Sequence, residues 1–494
     1  MTAAAHSLDD TPAIGAEPGA VPGAEPGAVP GAEPGAALPA PPSALPPVER
    51  RAVLPAGFVA AGATIGIKRS GRPDLAIVAT APGTDGGRPS AAAAAVFTPN
   101  AFAAAPIAVS RAHLAATAPD GAGAWGRAAG IVSTSGCANA ATGVDGTADQ
   151  EAIAEAFAGA IGVPATDTLA MSTGVIGTRL PVDLVGSGIA AVVGAGLSTT
   201  DEGLLAAAEA LRTTDSRAKT ATTTVELAGP DGGAVAVRVS GIAKGVGMIH
   251  PRMATMLAIV LTDATVEPAV LAGLLRPAAA RTWDQLSVDG DTSTNDTVFV
   301  LASGAAGTVT VGAESAAAVT LGRAIEAVAR DLARQQAADG EGATTLITAH
   351  VTGARDDADA RAVARAVVSS SLVKAAVHGR DPNWGRIAGA AGNARLADPA
   401  VLVAAGLSTE DADRRGGRAA EVAPERLRIA IAGHLVFDGA AGGPVPFDRA
   451  AARVAMDGQE CLIRLELGLG DGIGEAFGCD LTEEYVRENA EYTT

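Results

Sequence analysis

From about Val53 onward, glycine-rich turns cut the chain into short apolar runs, and this punctuation limits every secondary-structure element. Residues 75–80, the alternating 234–239, 256–262, 297–302, 427–432 and 462–467 read as strands. Helical spacing marks 150–161, 204–211, 318–337 and 359–377, with Ile325, Val328 and Leu332 on one face of the third. The two kinds of element are mixed without the regular alternation of a doubly wound sheet. A layered α+β architecture is therefore expected.

With 494 residues, 48% of them hydrophobic, the chain can bury one large core or two to three of average domain size. A formal charge of -18 and only 36 Lys plus Arg argue against nucleic acid as a partner. Cys137, Cys461 and Cys479 are widely spaced and lack the pairing of a zinc or redox motif, which suits a reducing cytoplasm. The first ten residues carry neither a basic cluster nor an apolar segment, and no apolar stretch is long enough to span a membrane. A soluble, cytoplasmic protein is expected. From Gly15 a Gly-Ala-Glu-Pro-Gly-Ala-Val-Pro repeat leads into a Pro-rich run, so residues 1–50 read as a disordered tail without catalytic role.

The stretch Lys244-Gly-Val-Gly-Met-Ile-His-Pro-Arg-Met-Ala-Thr255-Met-Leu-Ala-Ile-Val-Leu-Thr-Asp263 is the most informative. A turn delivers the small Ala254, then a hydroxyl residue at the head of an apolar run. Attack by the Thr255 hydroxyl on the Ala254 carbonyl converts the peptide to an ester that water cleaves. The freed α-amino group, with an ordinary pKa of about 8, then sits beside its own hydroxyl and can act as general base. Taken alone, a Thr at a strand start is more often simply a β-former.

This segment resembles the ornithine acetyltransferase family, the bifunctional arginine-pathway enzymes that move acetyl from N-acetylornithine to glutamate. Ordered blocks extend the resemblance from about Gly57 to Thr494: Gly57-Phe-Val-Ala-Ala-Gly, Val96-Phe-Thr-Pro-Asn100, Ser135-Gly-Cys-Ala-Asn-Ala140, Ser172-Thr-Gly-Val-Ile-Gly177 and Thr213-Thr-Asp-Ser216 before the nucleophile, then Ser287-Val-Asp-Gly-Asp-Thr-Ser-Thr-Asn-Asp-Thr297, Asp339-Gly-Glu-Gly-Ala-Thr344 and Gly379-Arg-Asp-Pro-Asn-Trp-Gly-Arg386 after it.

The resemblance implies a helix–sheet sandwich similar to N-terminal nucleophile hydrolases. Self-cleavage at Ala254–Thr255 would divide the chain into α (51–254) and β (255–494) parts, two of each in the assembly. Thr255 is the implied nucleophile. Thr173 and Gly174 match the oxyanion pair, hydroxyl and backbone N–H, aimed where negative charge develops. Thr213, Lys244, Thr255, Glu341, Asn489 and Thr494 match substrate contacts, the last two on a C-terminus folded back into the pocket. Without the family, Thr173-Gly174 would read as a turn, Lys244 as a solvated lysine and Glu341 as a turn acid. No cofactor or metal is implied, and acetyl-CoA enters only as a second acyl donor.

His250, five residues before Thr255, reads as a structural turn residue, since the α-amino group already supplies a base, and Cys137 reads as buried and inert. The acidic block 287–297 lacks the ligand spacing of a calcium loop and reads as turn chemistry. Three departures from the family pattern, Thr345 for Lys, Phe477 for Trp and Glu488 for an apolar residue, bear on acceptor preference and pocket polarity. Two other readings stay open: a self-cleaving amidase or aminopeptidase, in which water replaces glutamate, and a non-catalytic amino-acid-binding paralogue, which would not need Ala254-Thr255 or Thr173-Gly174.

Overall fold

The computed structural model describes residues 45–119, 121, 123–250 and 256–490. The repeat of the expected tail lies outside them. Packing nevertheless begins ahead of Val53: Glu49 and Thr222 exchange backbone hydrogen bonds of 2.8 Å, and Pro47 accepts one from the Thr223 hydroxyl.

Three sheets organise the fold. The first has the order β1 (Phe58–Ala63), β2 (Leu75–Thr80), β5 (Gly130–Cys137), β6 (Thr168–Val175). The second runs β4 (Trp125–Ala128), β3 (Ala91–Phe97), β11 (Thr297–Ala302), β9 (Leu257–Thr262), β8 (Ala234–Lys244), β7 (Lys219–Ala228). The third runs β10 (Leu286–Ser287), β17 (Gly472–Cys479), β12 (Leu346–Ala354), β16 (Glu460–Glu466), β13 (Arg428–Ile431), β14 (His434–Asp438), β15 (Gly443–Pro444).

Period-two alternation then fixes the layers. In β2, Leu75 and Ile77 pack on Ile153 and Phe157 of α2 (Gly143–Ile161) and on Val185 and Ile189 of α3 (Val182–Gly194). Ala76 and Val78 face the other way, into a cluster shared by Ile107 of α1 (Ala105–Thr117), Leu204 of α4 (Asp201–Leu211) and Ile259 and Leu261 of β9. The opposite face of β9, Ala258 and Val260, meets Leu271 of α5 (Pro268–Arg281) and Ile325 of α6 (Ala316–Ala338). Helices α1 and α4 are thus sandwiched between the first two sheets, with α2 and α3 outside one and α5 and α6 outside the other. Each fully buried Leu or Ile in these interfaces contributes about 1.5–3 kcal/mol. The third sheet packs on Val363 and Val367 of α7 (Asp357–Ser369). The layered α+β class is the one the sequence implies. Among the described residues no helix is long and apolar enough to cross a membrane.

The single helix expected over 359–377 is two, α7 and α8 (Ser371–His378). The Ser370 hydroxyl accepts from the Val373 amide and caps α8, a local bond that competes with continuation of the preceding helix. The alternating run at 234–239 belongs to a longer strand that reaches Lys244. The turn 380–384 supplies Asn383 as the side-chain cap of the helix Trp384–Gly392.

Candidate active site

One pocket of about 280 Å³ gathers six residues drawn from distant parts of the chain: Thr173, Gly174, Thr213, Lys244, Glu341 and Asn489. Thr173 and Gly174 directly precede Val175, the last residue of β6. There the parallel pairing with β5 slips by a bulge at Gly136 and Cys137. Gly174 adopts φ +132, and a Cβ on it would lie 2.3 Å from the Gly136 carbonyl carbon, so only glycine fits this crossing. Asn295 locks the strand end by donating from Nδ2 to the carbonyls of Ala138 (2.7 Å) and Ser172 (2.8 Å).

Lys244, the last residue of β8, pairs in register with Leu257, the first of β9. This antiparallel pairing sets Lys244 beside the point where the chain emerges from the segment containing Ala254 and Thr255. Those two residues, like Thr494, lie outside the described ones. Met256 directly precedes β9 and donates its amide to Asp296 Oδ1 at 2.9 Å. Burial raises the Asp296 carboxyl well above its usual range.

Lys244 is 2% exposed, not solvated. Burial lowers its pKa, opposed by the charges of Asp215, Asp296 and Glu341. Its Nζ lies 3.4 Å from Thr213 Oγ1. Behind it runs a line of alternating charge. Asp215 accepts from the Gly245 amide (2.8 Å) and from Lys219 Nζ (2.6 Å), which also donates to Asp339 (2.6 Å). Burial pushes the Asp215 carboxyl up, but Lys219 and Lys244 outweigh it and hold the pKa at about 2.

Glu341 is also buried. Its two carboxylate oxygens accept from Thr214 Oγ1 and Asn489 Nδ2, each at 2.9 Å, so the C-terminal helix Glu483–Ala490 reaches the pocket through Asn489. Gly247 makes room for that carboxylate, since a Cβ there would lie 2.1 Å from Glu341 Oε2. The pocket therefore presents a fixed cation and a fixed anion in a small volume, which matches a zwitterion.

Of the other residues singled out in the sequence, Ser293, Thr294 and Asn295 of the acidic block also line the pocket, and the rest lie elsewhere. His250 Nδ1 is 3.2 Å from Ser287 Oγ. Buried Cys137 donates from Sγ to the Thr178 carbonyl. In the acidic block, Asp289 accepts from the amides of Met248, Ile249 and Asp291, so it serves as turn chemistry. Phe477 is buried beneath Arg330 and Arg334. Thr345 donates its amide to Asp480 and its hydroxyl to Gly458, and neither it nor Phe477 lines the pocket. Sequence reading assigned no role to Lys219, Asp339, Asn295 or Gly247. The one local signal was the i,i+4 charge pair Asp215–Lys219.

A model of the ArgJ family matches residues 59–494. The arginine biosynthesis bifunctional protein ArgJ of Synechococcus is 43% identical over 440 residues, covering 89% of this chain and 96% of that protein. Its counterpart in Thermus thermophilus is 42% identical over 441 residues, covering 89% and 99%. Among solved structures, ornithine acetyltransferase from Mycobacterium tuberculosis complexed with ornithine is 36% identical, covers 42% of this chain and 97% of that chain, and superposes with a TM-score of 0.35.

Proposed function

The chain belongs to the ArgJ family of arginine biosynthesis bifunctional proteins, and from that premise we propose that it transfers acetyl from N2-acetyl-L-ornithine to L-glutamate through an acetyl ester on Thr255. The observation that carries this reading is the convergence of Thr173, Gly174, Lys244 and Glu341 on one pocket beside the strand pairing that leads back to Thr255.

In the proposed cycle the precursor first cleaves itself at Ala254–Thr255, leaving the part up to Ala254, with 51–254 as its folded body, and 255–494 as separate chains, two of each, in the cytoplasm. The Thr255 hydroxyl then attacks the acetyl carbonyl of the donor. Its proton passes to the Thr255 α-amino group and on to the nitrogen of departing ornithine as the amide C–N bond breaks. Thr173 and Gly174 donate to the oxyanion of the tetrahedral intermediate. The glutamate amine attacks the ester, the Thr255 oxygen leaves and recovers a proton, and N-acetylglutamate departs. Lys244 pairs with the carboxylate of the bound amino acid and Glu341 with its cationic end, while Thr213, Asn489 and Thr494 complete the pocket. The acetyl group is conserved through the cycle, so no cofactor takes part. Acetyl-CoA, acylating the same Thr255, would give a second route to N-acetylglutamate.

Intact mass of the purified protein beside a Thr255→Ala variant tests the reading. Two fragments with a new Thr255 N-terminus in the wild type, and only an uncut chain in the variant, are expected. An uncut but folded wild type would overturn it.

A further inference from the structure

A second cavity, of about 630 Å³, lies where α5 and α6 meet α7 and the strands β12 and β17, and it shares no lining residue with the first pocket. Leu274, Pro277, Val319 and Ile473 give it an apolar wall. Two of its arginines are closed off by carboxylates: Arg281 pairs with Glu326 at 2.6 Å, and Arg330 pairs with Glu475 through Nη2 at 2.7 Å.

Arg361 is different. It is 6% exposed, its one ion-pair contact among the described residues is Asp357 at 4.0 Å, and its Nη2 has no hydrogen-bond partner there. A guanidinium this buried is costly unless a counter-charge meets it. His350, also buried, lines the same cavity, and burial lowers its pKa against the opposing charge of Glu475. Arg323, exposed, adds a second cation to the lining, and it forms no ion pair among the described residues. Glu326, Asp357 and Glu475 share the lining, so a dianion such as phosphate would meet about twice the repulsion that a monoanion meets. A planar carboxylate matches the guanidinium fork, and the apolar wall asks for a hydrocarbon body.

We propose that this cavity binds a small organic monocarboxylate, its carboxylate on Arg361 and Arg323 and its apolar body against Leu274, Pro277 and Val319. The site is independent of the acetyl-transfer reading and stands or falls without it.

Benzoate titrated calorimetrically into the purified full chain tests the proposal. Saturable binding at one site per chain is expected, at least about tenfold weaker in Arg361→Met because a charge-assisted contact is lost. Arg323→Ala should weaken it by a smaller factor, and this exposed position decides the matter should Arg361→Met fail to fold. Absence of saturable binding in the wild type, or wild-type affinity in the arginine variants, would overturn the proposal.

Discussion

The two cavities handle buried charge in opposite ways. Behind the smaller pocket, Lys244, Asp215, Lys219 and Asp339 alternate in sign, and the two carboxylates flank Lys219 at 2.6 Å each. In the larger cavity Arg361 is nearly as buried, yet its nearest carboxylate stands 4.0 Å away. A saturated network is rigid and can only be damaged by removing a member. An unsaturated charge costs stability in the empty protein and recovers it when a ligand arrives. The first arrangement suits groups that must hold their positions through a reaction, and the second suits a site that waits for its partner.

The largest loss of stability is expected for Lys219→Met. The substitution would leave Asp215 and Asp339 as buried carboxylates without their shared cation, and removing one partner of such a set costs about 3–5 kcal/mol. Urea midpoints of variant and wild type measure it. A loss below about 1 kcal/mol would mean that the network is not what holds Thr213, Gly245 and Lys244 in place.

A smaller effect follows from Asp215, whose carboxyl is held at about 2 against an ordinary 3.8. Because the folded value is depressed, the stabilisation is fully present above about pH 4 and is lost as pH falls toward 2. The shift corresponds to an order of magnitude of about 2 kcal/mol. The stability difference between wild type and Asp215→Asn, followed by urea unfolding from pH 5 to 2, should shrink over that window. A difference independent of pH would remove Lys219 and Lys244 as the cause of the depression.

What could be read from the sequence divides along the same line. β2 and β11 were legible as short apolar runs between turns, and α6 by its 3.6-residue spacing, because such patterns are local. The pocket residues were legible one block at a time, from the family resemblance, while their convergence depends on register: Lys244 against Leu257, Thr173 against Ser135. Lys244 and Glu341 looked like solvated turn residues because nothing local shows that Asp215, Thr214 and Asn489 close over them. Arg361 was invisible for a stricter reason. It sits on an ordinary helical stretch whose i,i+4 spacing to Asp357 looks like a closed pair, and it is the meeting of five elements that leaves that contact at 4.0 Å and Nη2 without a hydrogen bond.

The smallest expected effect lies at that residue. Arg361→Met keeps the aliphatic stem of the side chain but not the guanidinium, and it removes a charge whose one carboxylate contact among the described residues, Asp357, stands 4.0 Å away. Removing a buried charge that is only loosely countered relieves desolvation, while losing the guanidinium's contacts costs packing, so without added carboxylate the unfolding midpoint should move by no more than about 1 kcal/mol in stability, in either direction. Lys219→Met, an identical change of charge at a comparably buried site, is expected to cost several times more. If Arg361→Met proves as destabilising as Lys219→Met, the guanidinium is compensated within the protein itself. The contrast between a saturated pocket and a waiting one would then collapse, because both cavities would be charge networks already closed by their own side chains.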